Sequence, residues 1–381
     1  MKTKLILFSL LATFSACNGQ PKQEKLTTQR SEPKKLSFNL SDFYSNRAEL
    51  DEKVQRVFDE LNTSERLAQM IITSAGELGK PQATVVSLVK NNKVGGVIFL
   101  KGNGSDHKKF IDSLNAISAK QSQLPLIYSI DAEPSLINSR LPDVKKIFPK
   151  TIDIKSPEES ARVATDISKT IKNFGFHYNY APVVDLSPNN EAIKSRSFGS
   201  DRDSVIAKAK AFIKATQDEN VVSCAKHFPG HGFVEGDTHK KLVYIDGELK
   251  EVDVYKPLIE EGVLSIMIAH IAVENNEKYG TEGAPASISK NIVTDLLRNE
   301  LGFEGIITTD AMNMVGATSS GESAPFLAGE AGCDMVLMPP NETALLKEMQ
   351  AEYEQNEAFR SQIDESIKRI LRLKICLGLI E

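Results

Sequence analysis

The chain lacks the marks of several common protein classes. No Gly-x-Gly-x-x-Gly follows an apolar strand-like run, and no Gly-x-x-x-x-Gly-Lys-Ser/Thr occurs, so neither kind of phosphate cradle has support. No basic patch stands out, and the formal net charge is −5, so nucleic acid is not an expected partner. Tryptophan is absent, and only four of 381 residues are cysteine. Cys224 and Cys333 fall in apolar strand-like runs and Cys376 in an apolar helical pattern. All three read as buried small residues rather than bridges. The apolar run 5–14 is too short to cross a bilayer as an anchor.

That run has another reading. It follows the basic Met1-Lys2-Thr3-Lys4 and precedes Phe14-Ser15-Ala16-Cys17. A charged start, an apolar core and small residues before a cysteine resemble a bacterial lipoprotein processing signal. Residues 1–16 are then a signal peptide and Cys17 the lipidated terminus, placing the protein in the cell envelope on the periplasmic or outer-surface side. An ordinary cleaved signal is the alternative. Residues 17–40, rich in Lys, Gln, Pro and Ser, read as a flexible tether. Removal of the signal leaves 44 basic against 51 acidic residues, a balance of −7.

The remaining stretch, 41–381, reads as one catalytic domain. Eight apolar, β-favouring runs recur at 70–73, 94–100, 126–130, 176–180, 221–226, 264–269, 305–309 and 334–338. Amphipathic helical patterns separate them: 80–91, 107–120, 157–173, 204–219, 251–261, 289–301 and 323–331. Two more, 342–352 and 358–377, close the chain, and an extra helix at 47–61 opens it. Eight strands with crossover helices predict a (β/α)8 TIM-type barrel. The runs are continuously apolar, as when both faces of a parallel sheet are buried. An open doubly wound sheet is the competing arrangement.

The most informative stretch is Lys226-His227-Phe228-Pro229-Gly230-His231-Gly232, followed by Asp237-Thr238-His239. Half of the six histidines fall there. The strand at 221–226 ends where the polar residues begin, and Pro229 with the two glycines forces a loop. A barrel places its chemistry on the loops after the strand C-termini. Other polar residues follow other strands: Asp131, then Asp185 with Arg196 to Asp201, then His270, then Asp310. Each has a bland reading as well. Asp201 could cap the helix that follows, and His270 could be a satisfied core residue. The histidine cluster could be a surface loop, or His227, His231, Asp237 and His239 could ligate zinc. Ser223-Cys224-Ala225-Lys226 spells Ser-x-x-Lys, but on a strand and without the companion motifs of acylating enzymes.

The Lys-His-Phe-Pro-Gly-His-Gly run, Asp237-x-His239 and Thr308-Thr309-Asp310-Ala311-Met312 together resemble glycoside hydrolase family 3, most closely its β-N-acetylhexosaminidase branch. The resemblance spans roughly residue 61 to the last helix. It implies a retaining exo-glycosidase that removes terminal β-linked N-acetylglucosamine through a covalent intermediate on Asp310. It implies His239 as acid/base, supported by Asp237. Imidazole titrates near neutrality, which suits a group that donates and then accepts a proton. Asp131, Arg140, Arg196, Lys226 and His227 match positions that hold sugar hydroxyls. The family's Gln-Glu-Gly-Gly after the first aspartate is replaced by Ala132-Glu133-Pro134-Ser135, and Arg140 sits about one residue late. That departure leaves the loop shape, the role of Arg140 and the aglycone preference open. No metal or organic cofactor is expected. The expected partners are a small glycan bearing N-acetylglucosamine, peptidoglycan fragments among the candidates, and a membrane through the N-terminal lipid. The alternatives are a catalytically impaired glycan-binding lipoprotein, and another β-glycosidase or a phosphorylase of the same family.

Overall fold

A computed structural model of the chain describes residues 37–187, 189–237 and 241–381. Cys17, the expected signal peptide 1–16, nearly all of the expected tether and His239 lie outside the described residues. Among the described residues ten strands occur in chain order: β1 Ile71–Ala75, β2 Gly96–Phe99, β3 Ile127–Ile130, β4 Tyr178–Asn179, β5 Val222–Phe228, β6 Val243–Asp246, β7 Ser265–Ile268, β8 Ile271–Glu274, β9 Ile306–Thr309 and β10 Val336–Leu337.

Eight of these form one sheet in the order β10-β1-β2-β3-β4-β5-β7-β9, with every pair parallel. The two ends of that order meet. Thr308 and Met335 form a parallel bridge, and the Thr309 N–H donates to the Met335 carbonyl at 3.1 Å. The sheet is therefore closed, and the doubly wound alternative is excluded. Each of the eight expected apolar runs overlaps a barrel strand; six contain it, while β1 and β5 each extend two residues past the expected end. Their residues are buried throughout, because helices cover the outer face while side chains fill the inner one.

The helices lie close to their expected positions. Pro157–Asn173 starts where Ser156 accepts from the Glu159 N–H, with proline at the first turn. Arg202–Asp218 is capped by Asp201, whose side chain accepts from the Ser204 N–H. The capping reading of Asp201 is the correct one. The opening helix, Ala48–Glu60, packs against the terminal helix, Glu357–Cys376. It buries Leu50, Val54, Val57 and Phe58, one stripe at helical spacing.

Two features were not foreseen. Strands β6 and β8 pair with each other outside the barrel, Val243 opposite Ile271 through Asp246 opposite Glu274. β8 continues the path of β7, so the long loop after β5 is stitched at its far end to the neighbouring strand. The packed chain also begins earlier than expected. Phe38 and Leu40, inside the expected tether 17–40, are buried in the core beside Phe43, and the compact unit runs from Phe38 to Glu381.

At the N-terminal end of the barrel the terminal helix inserts Lys374, fully buried. Its ammonium donates to the side-chain oxygen of Gln69 and to the carbonyls of Gly95 (3.1 Å) and Pro125 (2.7 Å). These acceptors sit just before β1, β2 and β3. Burial pulls the Lys374 pKa down to about 7 from 10.5. Lys374→Met strands three acceptors, and each buried unsatisfied group costs about 1–3 kcal/mol. The variant should therefore unfold at lower urea concentration. Because the folded pKa lies below the unfolded one, the contribution of Lys374 to stability is lost as pH falls toward about 7 and recovered as it rises toward 10.5. The gap between wild type and variant should widen in favour of the wild type over that window. A gap independent of pH contradicts the assignment.

Candidate active site

The chemistry-bearing side chains sit where parallel strands end. Asp131 directly follows β3, and Lys226 and His227 immediately precede Phe228, the last residue of β5. Lys226 is 2% exposed and Glu133 1%. A buried ammonium needs compensation, and Lys226 finds two carboxylates, Asp131 Oδ1 at 2.7 Å and Glu133 Oε1 at 2.7 Å. Glu133 is shared. Arg196, from the loop after β4, grips it in a two-pronged pair, Nε to Oε2 at 2.8 Å and Nη2 to Oε1 at 2.7 Å. Burial alone drives the Glu133 carboxyl upward, but Arg196 and Lys226 outweigh it and hold the group far below the usual carboxylate range. Burial likewise disfavours the Lys226 cation, and Asp131 and Glu133 more than restore it. Arg140 stands 3.8 Å from Asp131 Oδ2.

A second carboxylate holds the ring of His227. Asp185, after β4, accepts from His227 Nδ1 at 2.7 Å and from the His227 and His231 backbone N–H groups at 3.3 and 2.8 Å. An ionised carboxylate only accepts, so Nδ1 carries the proton and Nε2 turns toward Arg196 Nη2, 3.5 Å away. Behind Asp185 lies Glu251. Its Oε1 accepts from the Leu186 N–H at 2.6 Å and its Oε2 from the Gly232 N–H at 2.8 Å. Burial and the charge of Asp185 push the Glu251 carboxyl up to about 8, against the pull of these N–H groups.

Asp310 follows β9 directly. Its backbone N–H donates to Ile268 and its Oδ1 accepts from the Ala311 N–H at 2.7 Å. Its side chain is half-buried. Burial raises its pKa, but His227, His270, the Ala311 N–H and Lys226 more than offset that and bring it to about 2. Asp310, Asp131, Arg140, Arg196, Lys226 and His227 all line one cavity of about 550 Å³. Leu78, Leu100, Met314, Val315 and Met338 also line it.

A cavity ringed by ionised side chains on strand ends, with a carboxylate held anionic inside it, is an arrangement for polyol chemistry. Comparison with known sequences agrees. The profile described as the Glycosyl hydrolase family 3 N terminal domain matches residues 62–373. The chain belongs to glycosyl hydrolase family 3. Among family 3 relatives it is 29% identical over 369 residues to Beta-hexosaminidase A of Pseudoalteromonas piscicida, covering 82% of this chain and 61% of that protein. Its fold is similar to that of a family 3 beta-N-acetylglucosaminidase from Paenibacillus sp. str. FPU-7, with TM-score 0.77, 27% identity and coverage of 84% and 63%. It is also similar to Beta-glucoside phosphorylase BglX bound to 2FGlc, with TM-score 0.78, 25% identity and coverage of 88% and 62%. The chain thus spans somewhat less than two thirds of the length of these relatives.

Within the family 3 frame, six of the expected site residues converge on the cavity. The charged ring is not an exposed one. Lys226 and His227 are buried and Arg196 is spoken for by Glu133, because charges of both signs brought this close neutralise one another before any ligand arrives. Asp237 is half-buried, and its carbonyl accepts from the Lys241 N–H at 3.2 Å. His270 is fully buried, with Nδ1 2.7 Å from Ser287 Oγ and Nε2 3.0 Å from the Ala311 carbonyl. Its satisfied-core reading holds, although it braces the peptide next to Asp310. Ser223 donates to the Ala181 carbonyl at 2.7 Å from a buried strand position, so the Ser-x-x-Lys spelling has no nucleophile. Among the described residues no three His, Cys, Asp or Glu side chains gather as metal donors. Glu133 and Glu251 escaped the sequence reading as site residues. For Glu133 the signal was present, since it keeps the family's glutamate inside an altered loop.

Removing Glu133 leaves Arg196 and Lys226 facing each other across a buried gap. Loss of one partner from such a group costs about 3–5 kcal/mol. Glu133→Gln should lower the midpoint of denaturant unfolding by a corresponding amount and weaken substrate binding as well. Wild-type stability in that variant contradicts the shared-carboxylate account.

Proposed function

We propose that this protein is a retaining exo-β-N-acetylglucosaminidase acting on glycans of the cell envelope. Asp310 is the nucleophile. Its carboxylate attacks the anomeric carbon and forms a glycosyl-enzyme, which water then opens. The observation that carries this reading is the state of Asp310, half-buried in a cavity of about 550 Å³ yet held anionic with a pKa of about 2. A nucleophile must be deprotonated at the working pH, and the neighbours of Asp310 favour its anion. Asp131, Arg140, Arg196, Lys226 and His227 bind the hydroxyls of the terminal sugar, whose polar groups each need a partner once water leaves. His239, steadied by Asp237, protonates the leaving oxygen and later deprotonates the incoming water. The hexosaminidase and acetylglucosaminidase names of the relatives support the choice of sugar.

A second reading is phosphorolysis, favoured by the likeness to a beta-glucoside phosphorylase. A neutral imidazole repels an incoming phosphate less than a carboxylate does. In that case phosphate rather than water opens the glycosyl-enzyme, and the product is a sugar phosphate. Lipid anchoring through Cys17 is part of the same proposal. Among the described residues no helix is long and apolar enough to cross a membrane.

Asp310→Asn should lower turnover of a chromogenic β-N-acetylglucosaminide by about 10⁴-fold or more, as losing a nucleophile does elsewhere. Wild-type rates in that variant remove the assignment, and a protein with no turnover at all is a glycan binder. His239→Ala should lose more rate on poor leaving groups than on good ones, and equal losses argue against an acid role. Product analysis with and without inorganic phosphate separates hydrolysis from phosphorolysis. Cys17→Ser should move the protein from membrane to soluble fractions, and persistent membrane association counts against lipidation.

A further inference from the structure

Glu251 is a buried glutamate in a family 3 barrel with no part in the chemistry so far described. It stands at the N-cap of the helix Val252–Glu260, where a carboxylate ordinarily bonds the first turn, yet it makes no capping bond. It is 4% exposed. Both its oxygens instead accept backbone N–H groups, one from Leu186 on the loop after β4 at 2.6 Å and one from Gly232, near the start of the connection after β5 that Glu251 itself ends, at 2.8 Å. The chain has been shaped around this group. A Cβ at Gly230, where φ is +135°, would stand 2.4 Å from Glu251 Cβ and 2.5 Å from its Oε2. A Cβ at Gly232 would stand 2.6 Å from Glu251 Oε1 and 2.7 Å from the Ser187 nitrogen. Both glycines of the Pro-Gly-His-Gly run thus stand against Glu251, Gly230 also at a left-handed φ and Gly232 also against the Ser187 backbone. They let the backbone close over a carboxylate.

The position of that closure matters. Leu186 follows Asp185, which orients His227. Gly232 lies between the end of β5 and Asp237. At its far end the same loop is stitched through β6 to β8. The loop is thus tied near its start by Glu251 and by Asp185, further on by Asn190 Nδ2 to the Val234 carbonyl at 2.6 Å, and at its far end through β6.

We propose that Glu251 is a positioning residue for acid/base catalysis: by binding the Leu186 and Gly232 N–H groups at once, it sets where the loop leading to Asp237 leaves the barrel mouth. The inference rests on the reading that Asp237 belongs to the acid/base pair. Glu251 touches neither sugar nor leaving group. Its effect appears only in steps that need a proton donated or removed. An amide cannot replace it, since each carboxyl oxygen can accept in either protonation state whereas the glutamine nitrogen accepts nothing and turns an N–H₂ toward the second donor.

The test compares Glu251→Gln with Asp237→Ala in the full chain, on substrates of graded leaving-group ability. Glu251→Gln should lose at least about tenfold in kcat/KM on alkyl or sugar leaving groups, part of the roughly 10²–10⁴ that an acid/base group supplies. On an activated aryl glycoside, departure needs no acid and the opening of the glycosyl-enzyme limits the rate. There, added azide should raise turnover and yield a glycosyl azide, because azide attacks the anomeric carbon and expels Asp310 without a base. A damaged fold shows neither the leaving-group split nor azide rescue. Glu251→Asp, which keeps two acceptor oxygens, should recover part of the loss and gives the same readout if Glu251→Gln melts too early to assay. Equal losses on all substrates without azide rescue overturn the inference, as does wild-type behaviour. If Asp237→Ala shows the split and the Glu251 variants do not, the positioning role alone fails. If Asp237→Ala shows no split, the acid/base reading fails and the inference falls with it.

Discussion

The barrel mouth depends on one ammonium. Lys226 lies at the end of a strand where solvent cannot reach it, and its charge is supportable only because Asp131 and Glu133 approach it from β3 and the turn beyond. Glu133 in turn needs Arg196, which fixes the loop after β4 against the loop after β3. The chain of compensation therefore assembles three strand ends into one surface. It also adds to the potential felt by Asp310, whose anion is favoured by His227 and then by His270, the Ala311 N–H and Lys226. Ground-state ion pairing and readiness of the carboxylate are two consequences of the same packing.

The backbone is held by similar means. Asp185 and Glu251 are buried carboxylates whose partners are mostly main-chain N–H groups rather than side chains. Backbone donors do not vary with sequence, so such carboxylates fix loop geometry while leaving the loop's own side chains for other tasks. The cost appears as required glycines at 230 and 232. The cavity has an apolar lining as well as the charged one, with Leu78 and Val315 exposed.

Much of this was legible in the sequence, for local reasons. Barrel strands are buried on both faces, so 126–130 and 264–269 read as apolar runs without any knowledge of neighbours. Strand β6 was not legible. Only Val243 is buried in it, and its partner β8 begins two residues after β7 ends. Lys226, His227 and Asp310 were found because their motifs are contiguous and sit at strand ends. Their mutual pairing was not readable, because it depends on β3, β4 and β5 standing side by side, which is a property of the closed sheet. Glu251 was invisible for the same reason. A glutamate opening a helix is what the helix dipole favours, and nothing local reveals that its carboxylate serves Leu186 and Gly232 instead.

The central claim is that Asp310 bonds to the sugar. Incubation with a ring-fluorinated N-acetylglucosaminide bearing a good leaving group tests it directly, since fluorine slows breakdown of a glycosyl-enzyme that forms through an oxocarbenium-like transition state. Mass spectrometry of the digested protein should find one added sugar, on the peptide containing Thr309, Asp310 and Ala311. Label on any other carboxylate, or inactivation with no covalent adduct, contradicts the account.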